Sequence, residues 1–180
     1  AEAMSQIFEN WIWDYDILKT FAVHYETGEV LPEEMFRNML DAKNLSSGIS
    51  AQRGVRASMY DMVLYNRYDP DKPTPTDQIW RDLEEDFVYS GYIEGTHPQA
   101  AWIHINTHPT YYYGYLWSRV YAQDMFTQFE EHGLLDAATG ERYRKLILAN
   151  GTQRPILEAV EAFLGRTPNN EAYIRSLGLE

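Results

Sequence analysis

"EAMSQIFENWIWDYDILKTFAVHYETGEVLP", residues 2–32, decides the fold class. Phe8, Trp11, Ile12, Tyr15, Leu18 and Ala22 recur at helical spacing, which predicts a helix reaching about Tyr25. Gly28 then lies past the helix end and Pro32 at the start of the next, where a missing N–H does no harm. Glu2, Gln6, Glu9 and Trp13 follow at helical intervals and share one face. Apolar residues occupy much of the remaining circumference, so the helix reads as buried. Its carboxylates would then need a metal, a histidine or an arginine, because an unpaired buried charge costs several kcal/mol. The other reading is an exposed terminal Glu2 and a surface Glu9, and spacing alone leaves both open.

Helix signals recur along the rest of the chain and strand signals are almost absent. "PEEMFRNMLDAKN" starts with acids that suit a helix N-terminus. "LSSGISAQRGVRASMYDMVLYNRYD" carries a stripe of Val55, Met59, Met62, Val63 and Tyr65 or Asn66. "PDKPTPTD" breaks the pattern, and Thr76 or Asp77 can cap the next helix, "QIWRDLEEDFVYSGY". From Gly91 to Thr110 the pattern is irregular but apolar enough to be ordered. A long helix is predicted from about Tyr111 to Glu131, then shorter ones around 140–149, 154–164 and 169–176. The class is all-α, a multi-helix single domain over 1–180.

The chain of 180 residues is 44% apolar and 14% aromatic, ample for a packed core. Its net charge of -12, from 27 acids against 15 bases, argues against nucleic acid as a partner. No apolar run is long enough to cross a bilayer, so a soluble, cytoplasmic protein without a membrane partner is expected. The absence of cysteine leaves His, Asp and Glu as the only ligands for a metal. The first residue stands in the middle of a helical pattern, which reads as a piece of something longer.

"HINTHPTYYYGYLWSRV", residues 104–120, places His104 and His108 four apart and crowds four tyrosines into the next stretch. The histidine spacing half-resembles a zinc helix, but it lacks the glutamate that would activate water. For Tyr111, Tyr112, Tyr113 and Tyr115 the residues themselves allow core and rim packing as well as chemistry. His24 and His132 sit at helix ends, where capping is the simpler role, and His97 stays undecided. Arg53 and Arg56 could pair with the excess acids or bind a substrate carboxylate.

Residues 2–32 resemble a stretch of the thimet oligopeptidase family of zinc metallopeptidases that reads approximately E-A-P-S-Q-x-x-E-N-W-x-W, then H-Y-x-T-G-x-x-x-P. "YYYGYLWSRVYAQDMF" resembles the family's Y-Y-x-Y-L-W-S-x-V-x-x-x-D-x-F. "EEHGLLDAATGERYRKLILANG" and "FLGRTPNNEAYIRSLGL" resemble its C-terminal end, so the similarity runs through nearly the whole chain in order.

The resemblance implies the C-terminal part of a larger helical, zincin-type oligopeptidase. Glu2 falls on the family's third zinc ligand, and Glu9 on a glutamate that orients a ligand histidine. The family's proline is Met4 here. Its other two zinc ligands and its base come from an H-E-x-x-H helix, a motif this sequence lacks, so one zinc ion would need an HExxH-bearing segment or subunit as partner. His104, Tyr112 and Tyr115 fall on groups that donate to the substrate oxyanion. Phenols suit that role, being uncharged donors worth ~2.7 to 4 kcal/mol when preorganised. The loop "INTHPTY" is a residue shorter than the family's and has no glycine, and His108 takes the place of a family tyrosine as a substrate-binding donor. The expected activity is hydrolysis of short peptides, with this chain alone inactive. The rival reading is a non-catalytic helical module that binds peptides or completes a separately encoded catalytic chain.

Overall fold

The computed structural model describes residues 2–179. Its α-helices, in chain order, are α1 (Ala3–Gln6), α2 (Tyr15–Leu18), α3 (Glu33–Ala42), α4 (Ser47–Asn66), α5 (Thr76–Phe87), α6 (His104–Thr107), α7 (Gly114–His132), α8 (Ala137–Tyr143), α9 (Ile156–Leu164) and α10 (Glu171–Ser176). Among the described residues there is no strand, only an isolated antiparallel bridge between Val23 and Val30. The chain is all-α. None of the described helices is long and apolar enough to cross a membrane.

The predicted first helix is interrupted. After α1 the chain continues as a 3-10 helix, Ile7–Trp13, and Asp14 then turns extended (φ -111, ψ 124) while its carboxylate accepts from the Ile17 N–H. A short polar side chain that satisfies a free N–H in this way starts a new helix, α2, and ends the old one. The chain then turns at Gly28 (φ +73), whose N–H reaches the His24 carbonyl. His24 caps that turn, its Nδ1 accepting from the Glu26 and Thr27 N–H groups.

Cα proximity divides the chain into two compact units, Ala1–Leu45 with Trp117–Glu180, and Ser46–Leu116. In the first, Ile7, Met125, Phe129, Tyr143, Val160 and Phe163 form a core in which Ile7 and Phe163 are fully buried. Trp11 packs edge-on against Phe126 and Phe129, and its indole N–H donates to the Leu134 carbonyl. The buried side of the opening segment is therefore narrower than its composition predicts: Phe8 is 52% and Ile12 39% exposed. Burial of the Tyr143 ring in this core pushes its phenol up to about 12. Asp124, 1% exposed on α7, accepts from both terminal nitrogens of Arg166 and from the Asn169 N–H, tying the approach to α10 onto α7. Asp136 caps α8, and the Thr139 N–H it accepts holds its carboxyl below the usual range.

The second unit is built on α4 and α5, which share a core of Tyr60, Ile79, Trp80, Leu83 and Ile105. Ser46 takes a left-handed conformation (φ 63) just before α4. Of the irregular stretch 91–110, part is a 3-10 turn, Pro98–Ala101, and part is the single helical turn α6. Ile105 of α6 is buried in the core, which seats the flanking histidines.

Candidate functional site

Two side chains of α4, one turn apart, hold the segment that carries the tyrosines. Asp61, 1% exposed, accepts the Thr110 N–H at 2.9 Å through Oδ1 and the Tyr112 N–H at 3.0 Å through Oδ2. The Tyr65 hydroxyl donates to the Ile105 carbonyl in α6. Residues i and i+4 share a helix face, so a single face of α4 fixes both ends of the loop between α6 and α7. Thr110 sits in left-handed space (φ 61) within that grip. α7 begins at Gly114 and not, as predicted, at Tyr111: Thr110 is left-handed, and the Gly114 and Tyr115 N–H groups bond to the Tyr111 and Tyr112 carbonyls, three residues back, so the chain is still in a turn there.

Tyr112 thus lies in the turn before α7, yet its ring reaches Tyr115 at 5.2 Å between centroids, and the Tyr115 N–H bonds back to the Tyr112 carbonyl. Tyr115 Oη faces His104 Nε2 at 3.4 Å, within reach but longer than an optimal bond. Tyr112 meets His104 edge-on at 5.3 Å and Trp102 edge-on at 4.6 Å. His104 Nδ1 is buried without a hydrogen-bond partner among the described residues. The three sequence-predicted donors, His104, Tyr112 and Tyr115, therefore converge on one half-buried cluster whose polar ends are a phenol, a second phenol and an imidazole.

His108 lies beside the cluster, not in it. Its ring is 6.4 Å from that of His104, it is exposed, and its Nδ1 bonds to Thr107 Oγ1 at 2.8 Å. Tyr111 and Tyr113 are each half exposed. Tyr111 leans over Gly114, where an added Cβ would stand 3.5 Å from its ring. His97, undecided from the sequence, pairs with Asp77 at 2.9 Å, and that hydrogen bond holds the Asp77 carboxyl below its ordinary value.

Glu2 and Glu9 belong to the other unit. Glu2 is partly exposed, and its Oε2 accepts from Ser5 Oγ at 3.1 Å. Glu9 lies 3.8 Å from an Arg119 nitrogen, both side chains half exposed. Among the described residues no group of three or more His, Asp or Glu gathers as a metal site.

Sequence reasoning passed over Asp61 and placed Tyr65 only in the apolar stripe of α4, as an alternative to Asn66. Asp61 carried a signal, a lone acid inside the stripe of Met59, Met62 and Val63. Its partners lie 49 and 51 residues away, beyond the reach of local pattern.

The model of peptidase family M3 matches residues 1–179. The chain is 30% identical over 182 residues to thimet-like oligopeptidase of Dictyostelium discoideum, covering 99% of this chain and 27% of that protein. It is 31% identical over 184 residues to saccharolysin of Saccharomyces cerevisiae, covering 100% of this chain and 26% of that protein. With oligopeptidase A of Escherichia coli the figures are 31% over 182 residues, 100% and 27%. The chain thus spans about a quarter of the length of these relatives. With a family match over nearly its full length, this chain belongs to peptidase family M3.

Proposed function

We propose that this chain is the C-terminal part of a zinc oligopeptidase that hydrolyses short peptides. The observation that carries the reading is the convergence of Tyr112, Tyr115 and His104. Phenols donate hydrogen bonds while uncharged, so two of them in a half-buried site can stabilise an oxyanion without a buried charge of their own to compensate. Zinc would be held by Glu2 and by two histidines of an HExxH-bearing segment, and would supply Lewis-acid polarisation of the scissile carbonyl. The donors of this chain would hold the developing negative charge on that oxygen. Tyr115 is the principal donor, its hydroxyl oriented by His104; Tyr112 is the second. His108, exposed at the edge, contacts the bound peptide. Glu9 orients one of the zinc-bound histidines through its second carboxylate oxygen.

Joining the chain to an HExxH-bearing segment, in cis or in trans, should yield zinc-dependent cleavage of a short fluorogenic peptide, and Glu2→Gln should abolish stoichiometric zinc. Peptide binding without cleavage in the joined, zinc-loaded protein would instead favour a non-catalytic binding module. By elemental analysis, residues 1–180 alone should hold no stoichiometric zinc, and one tightly bound ion per chain would contradict this account.

Asp61 acts here as a positioning residue. An asparagine offers one carbonyl oxygen to the two N–H donors and turns an amide NH2 toward the other. Asp61→Asn is therefore expected to lower kcat about tenfold with little change in KM, and to cost about 1–3 kcal/mol of stability. Denaturant titration beside steady-state kinetics separates the two. Lost stability with unchanged kcat would confine Asp61 to folding.

A further inference from the structure

Beside the tyrosine cluster, in the unit of residues 46–116, lies an open cavity of about 580 Å³. Arg53, Arg56, Trp80, Pro98, Trp102 and Tyr112 are among its walls, and no acidic residue lines it. In a chain of net charge -12 that is an unusual composition. The Arg56 guanidinium carbon lies over the Trp80 ring, 3.8 Å from its centroid, and the side chain is only 11% exposed. Its Nε stands 3.2 Å from Glu84 Oε2, but the pair is not aligned as a hydrogen bond: Arg56 Nε, Arg56 Nη1 and Glu84 Oε2 are all buried without a hydrogen-bond partner among the described residues.

Charge balance makes the same point. Two guanidinium groups stand against the single carboxylate of Glu84. Burial, and to a lesser degree the neighbouring Arg53, holds the Arg56 cation below its ordinary pKa, while Glu84 and the Tyr112 phenol oppose that shift. A buried guanidinium fork with unspent donors is under-compensated, and its geometry matches a planar anion.

We propose that this cavity is a carboxylate-binding subsite, in which Arg53 and Nη1 of Arg56 hold a carboxylate of the peptide and Trp102 stacks on the residue that carries it. The assignment rests on the peptidase reading, since Tyr112 forms a wall of the cavity and also belongs to the donor cluster. The carboxylate would therefore lie near the scissile bond, either the peptide's own C-terminus or an Asp or Glu side chain. Glu84 holds Arg56 in place and is not displaced.

Calorimetric titration of the intact protein with three probes tests this: N-acetyl-Ala-Phe with a free carboxylate, its C-terminal amide, and N-acetyl-Asp-Phe-amide. One of the two carboxylate probes should bind about tenfold or more tightly than the neutral amide. Preference for the first assigns the C-terminus, and preference for the third assigns a side chain. Arg53→Gln, at an exposed position that should fold normally, should remove most of that preference, and Arg56→Gln the rest. Equal binding of all three probes, no binding of any, or a preference untouched by Arg53→Gln would overturn the subsite. Because binding is read without turnover, preference with no cleavage by the protein joined to an HExxH-bearing segment and loaded with zinc would sink the peptidase reading and leave the subsite standing; cleavage by that protein without preference would do the reverse.

Discussion

Tyr115→Phe is expected to lower kcat about a hundred- to a thousandfold in the zinc-loaded, completed peptidase, with KM changed by no more than about threefold. The substitution removes one oxygen and keeps the ring that packs against Tyr112 and His104. Folding and ground-state binding should therefore survive, and the loss falls on the step in which the carbonyl oxygen becomes anionic. Tyr112→Phe should cost less, about tenfold to a hundredfold, because Tyr112 stands before α7 on a backbone fixed by Asp61 and is not paired with His104 Nε2. Steady-state kinetics on a fluorogenic peptide, with a thermal melt of each variant, checks both. If Tyr115→Phe kept full kcat, the hydroxyl would be a packing feature, and the proposed donor role would fall with it.

Arg166→Met is expected to destabilise the protein by about 3 kcal/mol or more, the largest effect on folding among the substitutions considered. Arg166 is 41% exposed, but its partner Asp124 is 1% exposed, and that asymmetry sets the outcome. Without Arg166, Asp124 keeps, among the described residues, only the Asn169 N–H and no counter-ion. The reverse change, Asp124→Asn, leaves Arg166 able to turn toward water and should cost less, about 1–2 kcal/mol. Denaturant midpoints of the two variants order the effects, and a larger loss for Asp124→Asn would contradict the burial argument.

The course of the helices was largely legible. The stripe of Val55, Met59 and Val63 marked α4, and the prolines of "PDKPTPTD" marked its separation from α5. Local pattern failed where a side chain from elsewhere claimed a backbone group. Asp14 broke the first helix by capping α2 through the N–H three residues on, and Asp61 grips the turn before α7 from 49 and 51 residues away. The same limit governed the candidate site. Tyr112, Tyr115 and His104 could be picked out by resemblance, and their convergence required a fold. For Arg53 and Arg56 the sequence offered pairing or carboxylate binding. The structure gives Arg56 a carboxylate neighbour that leaves its donors unspent, an arrangement no spacing rule encodes.

The doubly anchored turn at Thr110 has a thermodynamic consequence for any ligand that meets the tyrosines. A threonine in left-handed space costs about 1–2 kcal/mol, and the Asp61 carboxylate offsets that cost within the folded protein. The conformational search that a looser loop would undergo at each encounter is completed once, during folding. Association with the rings of Tyr112 and Tyr115 then carries a small entropy penalty, so its temperature dependence should reflect desolvation of the ligand more than ordering of the chain.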